Sequence, residues 1–314
     1  MSNGINQRQN EEKCIAMLAA QRQLYSDAKV LDLISTLLSV LIPFLLSCVL
    51  LFVPKDSPVG VTSYVISIVS MIFSFCISGH IKSEKRTAAF IQQKFDTYVY
   101  SMPWNRRIFG DDKNVSSEIA QYSEKILSNR AEKEKLKNWY TAEADKKSLN
   151  EGILICQREN FTWDAGLRKR FRMLCIGIVV FLSSAVILMG VILKESLREI
   201  FCRFAFLAPM IQWLFETVKM LNDDFENLRE LDSAINSKEK KSMEDLQDIQ
   251  KLIYEHRKGC LTIPNFFYGF FKENDEDRAH RMVNVLYGEK LFVKKMKRLQ
   301  TNSISADEIL EKLK

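Results

Sequence analysis

The sequence predicts an all-α integral membrane protein, with four transmembrane helices in two hairpins and cytoplasmic helical regions between and after them. Three observations predict it. Four long apolar runs interrupt an otherwise charged chain, at 33–53, 59–79, 173–193 and 200–215. The first three carry no charged residue over about 21 positions, which spans roughly 31 Å as a helix, the thickness of a bilayer's hydrocarbon core. Outside these runs apolar residues recur at spacings of three and four, the helical period, and no stretch reads convincingly as a strand. Basic residues, finally, crowd the run ends on one side only: Lys29, then Lys82, Lys85 and Arg86, then Arg168, Lys169, Arg170 and Arg172, then Lys219.

An excess of Lys and Arg marks cytoplasmic flanks, so both termini and the long insert are expected inside and both hairpin tips outside. The net charge of +6 is uneven: positions 81–172 hold 19 Lys or Arg against 13 Asp or Glu, while the part after Val218 holds 18 of each. Five regions follow: an amphipathic cytoplasmic helix at 1–30, a transmembrane hairpin at 31–81, a cytoplasmic helical insert at 82–171, a second hairpin at 172–220 and a cytoplasmic helical region at 221–314.

The first 30 residues include Glu11 and Glu12 and no apolar core of their own, so insertion is expected to rest on the first hairpin rather than on a signal peptide. Met17, Ala20, Leu24, Ala28 and Leu31 form one stripe, predicting a helix that runs unbroken into the first span, where Pro43 should kink it. Ala88, Ile91, Phe95, Tyr98 and Met102 predict a helix over 84–100, stopped ahead of Pro103 because the residue before a proline avoids the helical region. Val115, Ile119, Tyr122 and Ile126 mark another, as do Leu149, Ile153 and Cys156. The Lys/Glu-rich stretch 130–137 between them reads as a solvated helical face.

The fourth run is the weakest by hydropathy, with only 204–215 free of charge, Pro209 inside it, and Arg203, Gln212 and Glu216 near its ends. It is read as spanning, since otherwise the polar remainder of the chain would be stranded on the far side. Its polar side chains should then face protein or water rather than lipid. Beyond it, Leu221, Phe225, Leu228 and Ile235 predict one amphipathic helix, and Met243, Leu246, Ile249 and Ile253 another, stopped by Gly259. An aromatic patch at 263–271 and a last helix through Ala279, Met282, Val283 and Leu286 complete the chain.

The chemistry of most enzymes is missing from the sequence. His80, His256 and His280 have no His or Cys partner at ligand spacing, and no glycine pattern cradles a phosphate. No nucleophile elbow occurs, and the acidic pairs Asp111-Asp112, Asp223-Asp224 and Glu244-Asp245 suit helix ends or polar faces. The seven cysteines form no CxxC and read as small apolar filler. No enzyme activity, metal or cofactor is expected.

Three patches, 101–107, 156–168 and 263–271, concentrate residue types that amphipathic periodicity does not require. Trp104, Asn105, Arg106, Gln157, Arg158, Asn160, Trp163, Asp164 and Arg168 are candidate contacts for an anionic, base-containing ligand. Aromatic and guanidinium planes stack on bases, Arg pairs with phosphate, and amides read base edges. A plainer reading competes: Trp104 and Asn105 in a packed turn, Trp163 in an aromatic belt, and Arg168, Lys169, Arg170 and Arg172 on anionic lipid. Arg203, Gln212 and Glu216 are the candidates for a pore or for the helix contacts that gate it.

Several motifs recur in a familiar order: Gln9-Asn10 and the segment 18–29 (LAAQRQLYSDAK), Phe95-Asp96 with Met102-Pro-Trp-Asn105, then Gln157-Arg-Glu-Asn160 with Trp163-Asp164 and Leu167-Arg168. Together they resemble the SMODS-associated four-transmembrane effector family over nearly the whole chain, the part after Met220 less clearly. The resemblance implies a role in bacterial anti-phage signalling (CBASS), in which a cyclic-nucleotide synthase makes a cyclic oligonucleotide on infection and an effector in the inner membrane responds by disrupting it. It implies as partners the cyclic oligonucleotide, membrane lipid, further copies of the chain and, functionally, the synthase, but no nucleic-acid polymer. It does not say which residues bind the ligand. The residues alone leave open a constitutive channel or transporter, or a passive membrane-anchored scaffold.

Overall fold

The computed structural model describes residues 2–49, 57–112, 114–237, 240–265 and 267. Within them every regular element is helical: α1 (Ile5–Gln9), α2 (Glu12–Thr36), α3 (Ile42–Val49), α4 (Pro58–Val99), α5 (Arg106–Phe109), α6 (Ser116–Leu127), α7 (Arg130–Glu134), α8 (Leu149–Ile192), α9 (Leu197–Asn236) and α10 (Met243–Gly259). The last helix expected from the sequence, and most of the aromatic patch, lie outside the described residues.

Helices α4, α8 and α9 run without a break from the apolar runs into the polar bundle. They are 42, 44 and 40 residues long, because nothing at the junctions stops them. Their starts are well marked. Ser57 accepts from the Gly60 amide with Pro58 at the first helical position, and Ser148 and Ser196 each form a capping box with Glu151 and Glu199. The end of α4 is set by Ser101, whose φ of 50° lets Met102 N donate to Thr97 O at 2.9 Å and Ser101 N to Tyr98 O at 3.1 Å. Two orphan carbonyls are thereby satisfied ahead of Pro103.

The kink expected at Pro43 takes the form of a π turn, Leu37–Leu41, between α2 and α3. A helical proline clashes with the carbonyl four residues back, here Ser39, and widening the preceding turn relieves the clash. Helix α2 is buried around more of its circumference than one stripe would need, since Cys14, Ile15, Leu18 and Ala19 join Ala20, Leu24 and Ala28 inside. It packs along α4 on one side and α6 on another. The basic stretch 130–137 is helical only at α7, and Leu136 just beyond it is fully buried.

The apolar runs form the surface of the helices rather than a protein interior. Phe75 is 79% and Phe181 70% exposed, and Val59, Ile72, Leu188 and Val191 join them. Apolar side chains over such lengths have no place in water, and α2–α3, α4 and α8 are long and apolar enough to cross a membrane. Helices of the first hairpin are tied, toward the bundle end of their apolar runs, by a hydrogen bond of 2.6 Å between the Ser35 and Ser74 hydroxyls, and polar contacts of this kind are a means of helix association in lipid.

Helix α9 does not meet that standard by composition, yet it lies antiparallel along α8 in constant register. Gly190 abuts Ile200 near the tip, Arg172 meets Asn222, and Arg168 meets Asp224 toward the other end. The apolar run of α8 therefore has α9 beside it over its whole length, and the fourth helix crosses with the third. Its Gln212–Glu216 side chains bond each other at 2.9 Å on an exposed face, not inside the hairpin.

The tip of this hairpin depends on a missing side chain. A Cβ on Gly190 would sit 2.5 Å from Ile200 Cγ1 and 2.7 Å from its Cδ1. Gly190→Leu is expected to splay the α8–α9 hairpin at a cost of about 1–3 kcal/mol, as overpacking does. Thermal unfolding of detergent-purified protein should show the loss, and an unchanged midpoint would refute the tight approach.

Candidate functional site

Where α4, α8 and α9 leave the membrane they enclose, with α10, a buried network of charged and amide side chains. Its centre is Asp96, fully buried on α4. Oδ1 accepts from Tyr140 Oη at 2.6 Å, and Oδ2 accepts from Gln250 Nε2 at 2.9 Å and Arg257 Nη1 at 2.6 Å. Gln250 also donates to Gln93 Oε1 at 3.0 Å and accepts from Gln157 Nε2 at 3.0 Å, and Gln157 reaches Leu246 O at 2.9 Å. Asn160 Nδ2 donates to Tyr140 Oη at 3.1 Å. Helices α4, α8 and α10 are joined here by polar contacts among side chains that have almost no access to water.

A second cluster lies nearer the membrane. Arg168, 4% exposed, donates from Nε to Asp164 Oδ2 and from Nη1 to Asp224 Oδ2, both at 2.6 Å, and to Leu261 O at 3.0 Å. His256 Nε2 lies 2.7 Å from Asp164 Oδ2. This cluster joins α8, α9 and α10 with the strand of chain that follows α10, which Lys85 of α4 also holds by donating to Cys260 O. Ile263 and Phe267 of that segment pack against Leu167, Phe171, Leu214 and Leu221, with Phe171 and Phe267 edge to face at 5.1 Å.

The electrostatics follow from burial against pairing. Burial alone would push the Asp164 carboxyl up, but the Arg168 guanidinium and the His256 ring outweigh it and hold it well below the usual carboxylate range. Burial likewise disfavours the charged Arg168 and Arg257, and their partners Asp164 and Asp96 keep both firmly protonated. Burial pushes the Cys14 thiol up to about 12, which suits its use as filler.

A carboxylate whose folded pKa is depressed stabilises the fold above its unfolded pKa, about 4, and loses that contribution as pH falls through the folded value. Wild-type protein should thus lose stability below about pH 4 more steeply than Asp164→Asn, as read by unfolding midpoints across an acid series. Parallel curves for the two would refute the depressed carboxyl.

The structure brings together five of the nine sequence-derived candidates at this network: Gln157, Asn160, Asp164 and Arg168 as members, and Trp163 packed beside Leu167, Phe171 and Leu214. Arg158, on the outer side of α8, donates to Asn236 Oδ1 at 3.0 Å. The other three are not members of it and lie in the turn after α4, beside Gln247 of α10. Trp104 is wedged between Phe90 and Phe109, ring centroids 5.4 and 5.3 Å away, and donates from Nε1 to Gly110 O at 2.9 Å. Asn105 caps α5 by accepting from Arg107 N at 3.1 Å, and exposed Arg106 pairs with Asp111. Arg172, placed beside lipid as an alternative, bonds Asn222 and stacks on Phe225 at 4.4 Å. The side chain of Arg203 lies outside the described residues.

Asp96, Asp224, Tyr140, Gln250, His256 and Arg257 were not among the candidates. One signal was present for Asp96, an acid next to the apolar stripe position Phe95. The Gln9-Asn10 pair has a structural role of the same kind: Gln9 bonds both backbone groups of Tyr140, at 2.7 and 3.2 Å, and Asn10 pairs with Asn138 at 2.9 Å in both directions. Several residues of the short motifs that carried the family resemblance, Asp96, Gln157, Asn160, Asp164 and Arg168 among them, are therefore members of the two buried clusters.

The profile of the SMODS-associating 4TM effector domain matches residues 3–286. A relative described as a probable CBASS effector molecule of Bacillus cereus (strain VD146) is 26% identical over 286 residues, covering 87% of this chain and 94% of the relative. No solved structure matches the chain.

Proposed function

The chain belongs to the family of SMODS-associating 4TM effector domains, and from that premise we propose that it is a CBASS effector of the bacterial inner membrane that binds a cyclic oligonucleotide through its cytoplasmic helices and then permeabilises the membrane. Both termini face the cytoplasm, where the basic flanks place them. The signal comes from a cyclic-nucleotide synthase, and the lesion is made by several copies of the chain acting on lipid.

One observation carries the reading. Helices α4, α8 and α9 are continuous from the buried network into the membrane, so any re-pairing below must move a span above. The network has room to re-pair, because Tyr25 Oη, Gln93 Nε2, Gln157 Oε1 and His256 Nδ1 are buried with no hydrogen-bond partner among the described residues. Buried polar atoms in that condition raise the free energy of the arrangement they sit in. Gln212 and Glu216, exposed on α9 within or beside the apolar run, supply the polar face that a pore or a contact between copies needs.

The test pairs two measurements on the full chain. Purified protein should bind at least one of a panel of cyclic di- and trinucleotides, and cells expressing it with a cognate synthase should lose membrane potential, while cells with either component alone should not. Depolarisation without any synthase would instead support a constitutive channel, for which the exposed Gln212–Glu216 face is also suited. Neither binding nor depolarisation would leave a passive anchor.

A further inference from the structure

A cleft of about 350 Å³ opens at the cytoplasmic end of α4, lined among others by Arg8, Lys94, Tyr98, Ser101, Trp104 and Asp112. It combines two cations with an indole at the one place where α1, α4 and the loop after α5 meet. The Arg8 guanidinium is fixed behind the cleft wall by bonds from Nε to Val99 O at 2.8 Å and from Nη1 to Asn3 O at 3.3 Å, and its Nη2 is buried with no partner among the described residues. Trp104 is equally fixed, by its two aromatic neighbours and its bond to Gly110 O. Rigid aromatic and guanidinium groups lose little entropy on binding, which is what a preformed ligand site requires.

The cleft already holds an anion of its own. Lys94 Nζ lies 2.6 Å from Asp112 Oδ1, and Asp112 stands on an exposed loop just after Gly110, whose φ of 78° is open to glycine but strained for other residues. A carboxylate on a short surface loop is a weak competitor, since exposed ion pairs contribute little. A phosphate brings more charge and more acceptor oxygens to the same lysine.

We propose that this cleft grips one nucleotide unit of the ligand, with Lys94 taking its phosphate in the field of the fixed Arg8 guanidinium, Trp104 taking its base, and Asp112 displaced from Lys94 on binding. The assignment rests on the reading of the cytoplasmic helices as a nucleotide sensor. Its volume is near the lower end of small-molecule pockets, about 300–1,000 Å³, so one unit fills it and the rest of a cyclic di- or trinucleotide stays outside. The buried network is then the element that responds, not the surface that binds.

The experiment is calorimetric titration of the full chain in lipid nanodiscs with cyclic di-AMP, cyclic di-GMP and cyclic triadenylate, comparing wild type with Lys94→Gln, Trp104→Phe and Asp112→Asn. For whichever probe binds, Lys94→Gln should weaken affinity by about tenfold or more, the loss of one charge-assisted hydrogen bond. Asp112→Asn should strengthen it, by up to about fivefold, as the internal competitor is removed. Lys94 and Asp112 both reach the surface, so these two variants keep the fold even if Trp104→Phe loosens the turn. Wild-type binding with both of them within twofold of it would overturn the cleft and leave the sensor reading standing. Absence of binding by any probe to wild type would overturn both.

Discussion

Arg168→Met is expected to destabilise the polar helical bundle by about 3–5 kcal/mol. Removing one member of a buried ion pair leaves the other charge without compensation in a medium that solvates it poorly. Here the loss is shared by two carboxylates, Asp164 and Asp224, each 2.6 Å from the guanidinium. Methionine keeps the apolar stem of the side chain, so the measured loss reports the charge and its hydrogen bonds rather than a cavity. Thermal unfolding of the purified full chain gives the value, and Asp164→Leu with Asp224→Leu in the Arg168→Met background should recover much of it, since apolar groups of similar shape can replace a buried ion cluster. A loss below about 1 kcal/mol for the single variant would mean that the cluster is solvated in the protein.

The second large effect concerns coupling rather than stability. Lys82→Pro lies on an exposed side of α4, just past the apolar run that ends at Gly79 and before the bundle. A proline there removes one helical hydrogen bond and clashes with the Ser78 carbonyl, at a cost of about 3 kcal/mol concentrated at the junction. Nucleotide affinity should stay within about twofold of wild type, while synthase-dependent loss of membrane potential should be abolished. Full depolarisation by this variant would show that α4 does not transmit the signal, and would shift that role to α8 and α9.

Much of the architecture was legible from local pattern alone. Charge-free runs of bilayer length located the spans, and spacings of three and four located α2, α6 and α10, because burial of one helical face is a property of a single element. Gly259 at the end of α10 and the proline-adjacent stop of α4 belong to the same class. The fourth span could only be argued from what it would strand, and became plain once Gly190, Arg172 and Arg168 fixed its pairing with α8.

The buried network was not legible for the opposite reason. Arg168 looks the same in sequence as Lys169 or Arg170, and what distinguishes it is Asp224, 56 positions away, and the turn after α10. Asp96 finds Arg257 at a separation of 161 residues and Gln250 at 154. A polar residue beside an apolar stripe signals that something unusual is buried; only the fold says with what. Trp104 and Asn105 turned out to serve a packed and capped turn, and the same packing is what makes the Trp104 ring rigid enough to serve a ligand.

The constant register of α8 and α9 limits how the second hairpin can move. Sliding α9 by one helical turn, about 5.4 Å, would bring Met220 or Leu228 to the place where Asp224 now meets Arg168, an exchange of a carboxylate for a thioether or an isobutyl group. Smaller slides would stretch the 2.6 Å bond between Arg168 of α8 and Asp224 of α9. The Arg168–Asp224 pair thus acts as a latch that holds or lets go; on the proposed function, the side chains that part on activation are the same ones that guard a resting cell against slow leakage.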